Sequence, residues 1–251
     1  MVILKSEREI NMMHEAGKIL ALTHKEIAKL IQPGITTLEI DAFVEKFLVN
    51  HGATPEQKGY QGFPYATCAS VNDEICHGFP TSKPLKDGDV VTIDMVVNLD
   101  GYLADSAWTY IVGTPSPNAK KLVDVTKESL YKGIEQAVVG NRLGDIGHAI
   151  QSYVESQGFS VVRDFTGHGI GTSMHEEPQV LHYGKPGRGL RLKEGMVITI
   201  EPMVNEGKWQ CKLDSNGWTA RTIDGKLSAQ FEHTIAITKD GPLILTDQDA
   251  V

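Results

Sequence analysis

The stretch LKDGDVVTID, residues 85–94, occurs a second time in the chain as LKEGMVITIE, residues 192–201. Six of the ten positions are identical and three more differ conservatively. Each copy ends in a carboxylate, Asp94 in the first and Glu201 in the second. Because an unpaired buried charge costs several kcal/mol, a buried strand that ends on such a residue needs a neutralising partner. The two strand ends therefore predict a cation site shared between the halves of a duplicated chain.

The duplication extends upstream of this phrase. Residues 34–52 align with residues 140–158, and both segments begin and end on glycine. Each has the pattern of a helix closed by a C-terminal glycine. We interpret residues 1–251 as a single domain in which one ancestral unit is used twice, at about 6–112 and 117–238. Such a unit is too long for a solenoid or propeller, whose repeats run roughly 20 to 50 residues.

Composition and charge argue against several classes of protein. The 251 residues carry a net charge of −8 and contain no run of Lys and Arg, so no general nucleic-acid or anionic-membrane surface is expected. Three cysteines without CxxC spacing argue against a disulfide framework and favour a reducing compartment, with the cytoplasm as the expected location. Charged residues throughout positions 1–22 fit neither a signal peptide nor a membrane span.

Hydrophobic periodicity and turn residues predict an alternation of helix pairs and strands. Residues 53–84 are rich in Gly, Pro and polar residues and are expected to form loop and short strands. Helices are predicted at about 6–31, 36–52, 117–138 and 143–157, and strands at about 89–98, 102–112, 159–164, 196–204, 209–213, 218–223 and 228–238. The order of helix, helix and β hairpin, repeated once, predicts an α+β fold with antiparallel pairing.

The first hairpin brings two carboxylates onto one face. A turn centred on Leu99 and Asp100 would put Asp94 directly opposite Asp105, whereas a turn centred on Asp100 and Gly101 would put Asp105 opposite Val96. In both cases the two carboxylates share a face, where like charges destabilise the sheet. A divalent ion would reverse that effect. Taken singly, each Asp could instead be an ordinary polar strand end that faces water.

Candidate ligands also occur in the second half. Glu201 precedes Pro202, which cannot donate a hydrogen bond to a continuing ladder. Glu232 lies in an alternating strand, QFEHT, where a solvent-facing side chain is the alternative. His168 lies in TGHGIG, which we interpret as a glycine-rich turn that allows close backbone approach to an ion or substrate. A lone histidine is also common as a hydrogen-bonded structural group. For His168, His77 and His175, this structural role is the alternative.

Together, these side chains have the composition of a dinuclear hydrolase site. Four carboxylates balance the charge of two divalent cations, and carboxylates can bridge two metals. Oxygen-rich ligation with one imidazole suits Mn, Fe, Co or Zn, and the ligand types alone do not choose among them. The candidate metal ligands are Asp94, Asp105, His168, Glu201 and Glu232.

Five separated segments resemble those of the methionine aminopeptidases, in the same order. They are CASVNDEICHGFP, IDMVVNLDGYLADSA, FTGHGIGTSMHEEP, GMVITIEPM and AQFEHT, and they cover most of the chain after residue 60. The resemblance implies the pita-bread fold, in which two pseudo-symmetric α+β halves surround a dinuclear metal site. The short distance from Glu201 to Glu232 leaves no room for the helical insertion of type II enzymes, so the chain resembles the short bacterial type I form.

The resemblance also implies roles for individual residues. Asp94, Asp105 and Glu232 would chelate one metal, and Asp105, His168, Glu201 and Glu232 would serve the other. Glu201 would act as general base, His175 would stabilise the oxyanion, and His77 would contact the scissile amide. The implied methionine pocket consists of Tyr60, Phe63, Cys68, Met174 and Trp218, although many relatives carry a bulky aromatic residue where this chain has Met174. Asn72 and Ser228 would belong to a monovalent-cation site.

The implied function is removal of the initiator methionine from nascent proteins and peptides, with a preference for a small second residue and attack by a hydroxide that bridges the metals. The expected partner is the N-terminal methionine of nascent polypeptides, with a contact to the ribosome left open. No direct nucleic-acid or membrane partner is expected, and a monomer is the expected state.

Two alternatives remain open from the sequence. A proline-specific relative of the prolidase class would use a similar ligand set, but those chains usually carry an additional N-terminal domain. A non-catalytic binding module on the same fold would be expected to have lost ligands, whereas this chain retains all five.

Overall fold

Four helices, two in each half, frame the structure. The computed structural model describes all residues from 1 to 251. The helices are α1 (Glu7–Leu30), α2 (Thr37–Asn50), α3 (Pro117–Ile134) and α4 (Leu143–Ser156). Helices α1 and α2 each begin with a capping box, formed by Ser6 with Glu9 and by Thr36 with Glu39. All four helices lie within a few residues of the predicted positions. None has an apolar stretch long enough to cross a membrane.

The strands are mostly short, apart from the hairpin of the first half. They are β1 (Thr54–Pro55), β2 (Cys68–Val71), β3 (Glu74–Cys76), β4 (Val90–Leu99), β5 (Tyr102–Ile111), β6 (Ser160–Val161), β7 (Gly167–Gly169), β8 (Glu176–Val180), β9 (Val197–Ile200), β10 (Met203–Asn205), β11 (Cys211–Leu213), β12 (Ala220–Thr222), β13 (Ser228–Gln230), β14 (His233–Thr238) and β15 (Gly241–Ile244). Short turns of 3-10 helix lie at Tyr60–Gly62 and Gln248–Ala250.

The paired strands are antiparallel, as the sequence predicts. In the first half, β4 pairs with β5 along its full length and with β1 and β2 on its other edge. In the second half, the five-stranded sheet has the order β15-β14-β9-β7-β8. Two three-stranded sheets, β13-β10-β6 and β11-β12-β3, complete the architecture. Strand β3 of the first half therefore joins a sheet with strands from the second half.

Matched glycines in the two halves have nearly the same backbone conformation. Gly34 has φ +99° and Gly140 has φ +98°, while Gly88 has φ +87° and Gly195 has φ +86°. These left-handed angles strain any residue with a Cβ atom. The turn before α2 is thus repeated before α4, and the turn before β4 is repeated before β9. Gly52 and Gly158 also have positive φ after the ends of α2 and α4, as predicted.

Each half has its own apolar core. In the first half, α1 and α2 bury Leu20, Ile27 and Val44 against the hairpin. In the second half, α3 and α4 bury Leu122 and Ile150 against the five-stranded sheet and the sheet β13-β10-β6. Both cores gain stability from apolar area removed from water.

Side chains of β5 link the two cores. The indole of Trp108 meets the ring of Phe231 edge to face, with ring centroids 4.8 Å apart. The junction of the halves is therefore packed with side chains, and it fixes the strands of one half against those of the other.

Three predictions from the sequence need correction. The predicted strands 196–204 and 228–238 are each interrupted, at Glu201–Pro202 and at Phe231–Glu232. The predicted glycine-rich turn at 166–171 contains β7, which lies between β8 and β9. Glycines suit this central strand because a Cβ on Gly167 would lie 2.5 Å from the carbonyl oxygen of Thr199. Strands β8 and β15 were not predicted.

Candidate metal centre

The register of the first hairpin selects one of the two predicted arrangements. Leu99 pairs with Tyr102, so Asp100 and Gly101 form the turn, both with positive φ. Asp105 therefore opposes Val96, and Asp94 opposes Ala107. The two carboxylates lie diagonally on the same face of the sheet, where burial and then the charge of Asp105 raise the pKa of Asp94.

In the second half, both strand interruptions fall at the same level. Met203 pairs with Gln230 on one side of the gap, and Ile200 pairs with His233 on the other side, in one continuous register. This register places Glu201 opposite Glu232. Since neither glutamate is part of a strand, each side chain is presented from backbone that has left the regular ladder.

Hydrogen bonds between the halves fix the two interior carboxylates. The Glu232 amide donates to the Ala107 carbonyl over 2.9 Å, and the Ser106 hydroxyl donates to the Glu232 carbonyl over 2.9 Å. The Thr234 hydroxyl donates to the Asp105 carbonyl over 2.8 Å. Asp105 and Glu232, which are 5% and 1% exposed, are thus held next to each other by their own backbones.

His168 on β7 turns its ring towards these carboxylates. Its Nδ1 lies 2.9 Å from the Gly169 carbonyl oxygen, which can only accept, so Nδ1 carries the hydrogen. Its Nε2 lies 3.6 Å from Asp105 Oδ2 and 3.7 Å from Glu201 Oε1. The Thr199 hydroxyl accepts from the His168 amide and donates to Glu201 Oε1, so one hydroxyl links the His168 backbone to the Glu201 side chain.

The electrostatics of the centre are unfavourable without a cation. Burial, followed by the neighbouring carboxylates, raises the pKa of Asp94 and of Glu232 well above the usual range. Burial also raises the pKa of Glu201, to about 7. Burial alone would lower the pKa of His168, but hydrogen bonding to Asp105 and the charge of Glu201 raise it to about 9. These acids are therefore held in surroundings that oppose their charge.

Two oxygen atoms of the centre lack any partner. Asp105 Oδ1 and Glu232 Oε1 are buried and accept no hydrogen bond. A buried acceptor without a partner costs about 1–3 kcal/mol of stability, and the cost is higher when the group is charged. Ligand atoms of Asp105, His168 and Glu232 all lie within 4.8 Å of one another. Carboxylate oxygens and an imidazole nitrogen form a suitable donor set for divalent transition metals, so these residues fit a metal.

A cavity of about 630 Å³ opens above this cluster. All five predicted metal ligands line it, including Asp94 and Glu201, which lie outside the tight three-residue cluster. The predicted histidines His77 and His175 and all five residues of the predicted pocket line the same cavity. The structure thus brings every one of these residues to a single space between the halves.

The two other histidines approach the cluster from different segments. The rings of His175 and His168 lie 4.4 Å apart, and His175 Nδ1 lies 3.0 Å from the Tyr60 hydroxyl. His77 has φ +55°, an unusual angle for a residue with a side chain, and its ring lies edge-on to Phe165 at 5.4 Å. Burial lowers the pKa of His77 to about 4. Both imidazoles therefore face the cavity from positions defined by aromatic neighbours.

One wall of the cavity is apolar and aromatic. The rings of Phe63 and Trp218 meet edge to face at 5.2 Å. Cys68 lies on β2, where it pairs with Asp94, and Met174 is 7% exposed in an apolar cluster. This wall is close to the metal ligands and can accept an unbranched apolar side chain.

The residues predicted for a monovalent cation lie outside the cavity lining. The Ser228 amide donates to the Asn72 carbonyl over 2.9 Å, so the two residues are neighbours. The side chain of Asn72 bonds to Asp89 and to the Val90 amide, and the Ser228 hydroxyl donates to the side-chain oxygen of Asn205. These side-chain groups are therefore already satisfied.

Sequence reasoning missed two residues that support the centre. Gln57 accepts from the Val96 amide and donates to the Asp94 carbonyl, so it fixes the strand beside a candidate ligand. No pattern in the sequence marked it. Thr199 could have been found, because threonine recurs at the matched position of both repeated phrases, as Thr92 and Thr199.

Comparisons with known proteins agree with this geometry. The model of metallopeptidase family M24 matches residues 11–239, and the chain belongs to this family. The chain is 55% identical over 246 residues to methionine aminopeptidase 1 of Bacillus subtilis (strain 168), covering 98% of this chain and 99% of that protein.

Solved structures give the same result for the fold. The crystal structure of methionine aminopeptidase from Rickettsia prowazekii matches with a TM-score of 0.97 at 46% identity, covering 98% of this chain and 100% of that one. The prolidase from Pyrococcus horikoshii OT3 matches with a TM-score of 0.79 at 27% identity, and the match covers 98% of this chain but only 63% of the prolidase. The predicted α+β pita-bread fold and the resemblance to methionine aminopeptidases are both confirmed.

Proposed function

We propose that this protein is a metal-dependent hydrolase that removes the N-terminal methionine from nascent proteins and peptides. The observation that carries the proposal is the cluster of buried carboxylates and His168 at the floor of a cavity that also contains His77 and His175. The choice of methionine is supported by methionine aminopeptidases that match almost the whole chain, at 45–55% identity.

We assign five residues as ligands of two divalent metals, namely Asp94, Asp105, His168, Glu201 and Glu232. Asp105 and Glu232 have buried oxygens without a partner, so these two carboxylates would hold metal. Bound divalent ions lower the pKa of a coordinated water, so that a hydroxide nucleophile is available near neutral pH. Mn, Fe, Co and Zn all remain compatible with this donor set.

Three side chains are assigned to the chemistry of peptide hydrolysis. Glu201 acts as general base, and its orientation by the Thr199 hydroxyl supports this role. His175 stabilises the oxyanion, since its ring lies against His168 at the centre of the cavity. His77 lies on another side of the cavity. It contacts the scissile amide and assists departure of the leaving amine.

The apolar wall supplies specificity for methionine. Polarizable sulfur and aromatic edges make favourable contacts with a thioether, and these are the groups presented by Cys68, Met174, Phe63 and Trp218. Tyr60 completes this pocket next to His175. A small second residue is preferred, as the resemblance to methionine aminopeptidases implies.

Further assignments follow from the sequence. Residues 1–251 act as one catalytic domain, as a monomer, in the cytoplasm, where three free cysteines are compatible with reducing conditions. The enzyme acts on the nascent polypeptide as it leaves the ribosome. The adjacent Asn72 and Ser228 offer backbone carbonyls to a monovalent cation.

The test is methionine release from a Met-Ala-Ser peptide by protein loaded with Co or Mn after chelation. Glu201→Ala and His77→Ala are expected to fold but to lose release, while Glu194→Ala at an exposed position is expected to retain it. Cleavage of Xaa-Pro peptides in place of Met-Ala-Ser would identify a prolidase-like activity instead. No hydrolysis of either peptide by the metal-loaded protein would overturn the proposal in favour of a binding module.

A further inference from the structure

A buried ion pair joins the N-terminal segment to the loop that carries His175. Lys5 Nζ lies 2.5 Å from Glu176 Oε2, and the two side chains are only 6% and 9% exposed. The other lysine ion pairs lie at the surface, as for Lys18 with Glu15, whose side chains are 44% and 60% exposed. A buried charge is retained only where a partner satisfies it. This ion pair therefore constrains both segments of the chain that contribute to it.

The lysine end of the pair is anchored to the second half. The Lys5 amide donates to the Gly195 carbonyl over 2.6 Å, and the Gly195 amide donates to the Ile237 carbonyl. Helix α1 begins directly after this point, with Ser6 as its cap. The ammonium group is therefore held between a five-stranded sheet and a helix, and it approaches Glu176 from fixed backbone.

The glutamate end closes a short loop. Glu176 begins β8 and pairs with Gly169 of β7, so residues 170–175 form the connection between the two strands. A Cβ built on Gly171 would lie 2.4 Å from Lys5 Cε and 2.6 Å from Glu176 Oε1. The ion pair thus fills the space directly beside the loop.

The C-terminal end of this loop faces the cavity. His175, the residue before Glu176, lies against His168 and the Tyr60 hydroxyl, and the preceding Met174 is buried in an apolar cluster. Glu176 itself also lines the cavity. Movement of the Glu176 backbone would therefore displace the His175 ring directly. Among the candidate metal ligands, only His168 lies on β7, which pairs with β8, whereas Asp94, Asp105, Glu201 and Glu232 lie on other segments.

We propose that Lys5 is a positioning residue that orients His175 through its ion pair with Glu176, which makes the N-terminal segment part of the working site. The inference rests on the proposed function for the role of His175 in catalysis, but the orientation of the ring does not depend on it. Lys5 does not contact substrate or reacting atoms.

The kinetic test compares Lys5→Met with Lys18→Met in the metal-loaded protein. Lys5→Met is expected to lower kcat for Met-Ala-Ser by about tenfold or more with little change in KM, since small misplacement of a catalytic group is costly. Lys5→Arg, which keeps the charge, is expected to recover part of the loss. Parental kcat in Lys5→Met would overturn the proposal, as would an equal loss in Lys18→Met.

A second variant separates positioning from stability. Lys5→Met leaves Glu176 buried without a partner, which can prevent folding. The double variant Lys5→Met with Glu176→Gln removes both charges, so it is expected to fold and still to show the lowered kcat. A folded double variant with parental kcat would overturn the proposal.

Histidine-selective NMR of the metal-free protein gives a readout independent of activity. The ring signals of His175 are expected to shift or broaden in Lys5→Met and in the double variant, while those of His24 stay in place, as do the His175 signals in Lys18→Met. Unmoved His175 signals in the folded double variant would overturn the proposal. If the parent released no methionine, the proposed function would fail while this measurement still tested the orientation.

Discussion

Glu201 and Glu232 lie opposite each other at the one level where both strand pairs of the second half are interrupted. The register is the same on either side of the interruption. The unbroken hairpin of the first half faces this gap with Asp105, whose backbone is tied to Thr234. Carboxylates from regular and irregular backbone thus converge, and they do so at a cost in charge repulsion that a bound cation would offset.

Neutralising Glu232 should stabilise the metal-free protein. Glu232→Gln removes one buried like charge, so its free energy of unfolding after chelation is expected to exceed that of the parent by about 1 kcal/mol or more. Urea unfolding measures the difference. Glu194→Gln, at an exposed position, is the matched control and is expected to leave stability unchanged. A less stable Glu232→Gln variant would contradict the repulsion described here.

Loss of the Thr199 hydroxyl should weaken metal binding. Thr199→Val leaves the His168 amide and Glu201 Oε1 without the group that orients them. Affinity for Mn²⁺ is expected to fall by about 10- to 100-fold, as for other residues that support metal ligands. Calorimetric titration gives the constant, and Thr199→Ser, which keeps the hydroxyl, should bind like the parent. Equal affinities for Val and Ser would show that the hydroxyl has no such role.

The pocket wall should affect binding more than turnover. Trp218→Ala removes the half-buried ring that packs on Phe63, and it is expected to raise KM for a Met-Ala-Ser peptide by about tenfold, because a large aromatic contact of the pocket wall is lost. Trp209 lies outside the cavity lining, so Trp209→Ala is the control. Steady-state kinetics separate the two effects. An unchanged KM for Trp218→Ala would remove this residue from the pocket.

His24 should make stability fall at acid pH. Burial lowers the pKa of His24 from 6.5 to about 4, so between these values the unfolded chain binds a proton that the folded chain does not. The folded state is therefore fully stabilised above pH 6.5 and loses stability as the pH falls towards 4. The loss amounts to about 3 kcal/mol from this residue.

The measurement for His24 is urea unfolding of the parent and of His24→Gln at pH 7, 5.5 and 4.5. The variant cannot take up this proton, so the advantage of the parent is expected to shrink with each step. Tyr110 and the Ser106 carbonyl, which contact the ring in the parent, are unchanged in the variant. Parallel stability curves for the two proteins would contradict the lowered pKa.

The repeated phrase made much of the fold predictable, because most of its apolar residues are buried in a strand in both copies. Periodicity located α1 to α4, and the turn at Asp100 and Gly101 was one of two stated alternatives. The break at Phe231–Glu232 could not be read from the sequence, since QFEHT has the alternation of a regular strand. It depends on contacts with β5, which lies far away in the chain.

The site likewise had features that the sequence predicted and features that it did not. Residue types and spacing indicated which carboxylates belong together, whereas the Lys5 contact with Glu176 joins positions that share no local pattern. Glycine at 167 and 169 suggested a turn by its usual preference, but close packing against Thr199 and Glu177 required small residues within a strand. At both glycines, tertiary contacts overrode the local preference for a turn.

The interruption at Glu201–Pro202 also has a consequence for how this architecture can diverge. Residues 206–227 leave the ladder after Asn205 and return at its partner Ser228, on the same side of the break, so changes of length there alter the entrance without altering the spacing of the two glutamates. Descendants of one ancestor could therefore acquire new selectivity at the rim while inheriting an unaltered reaction centre.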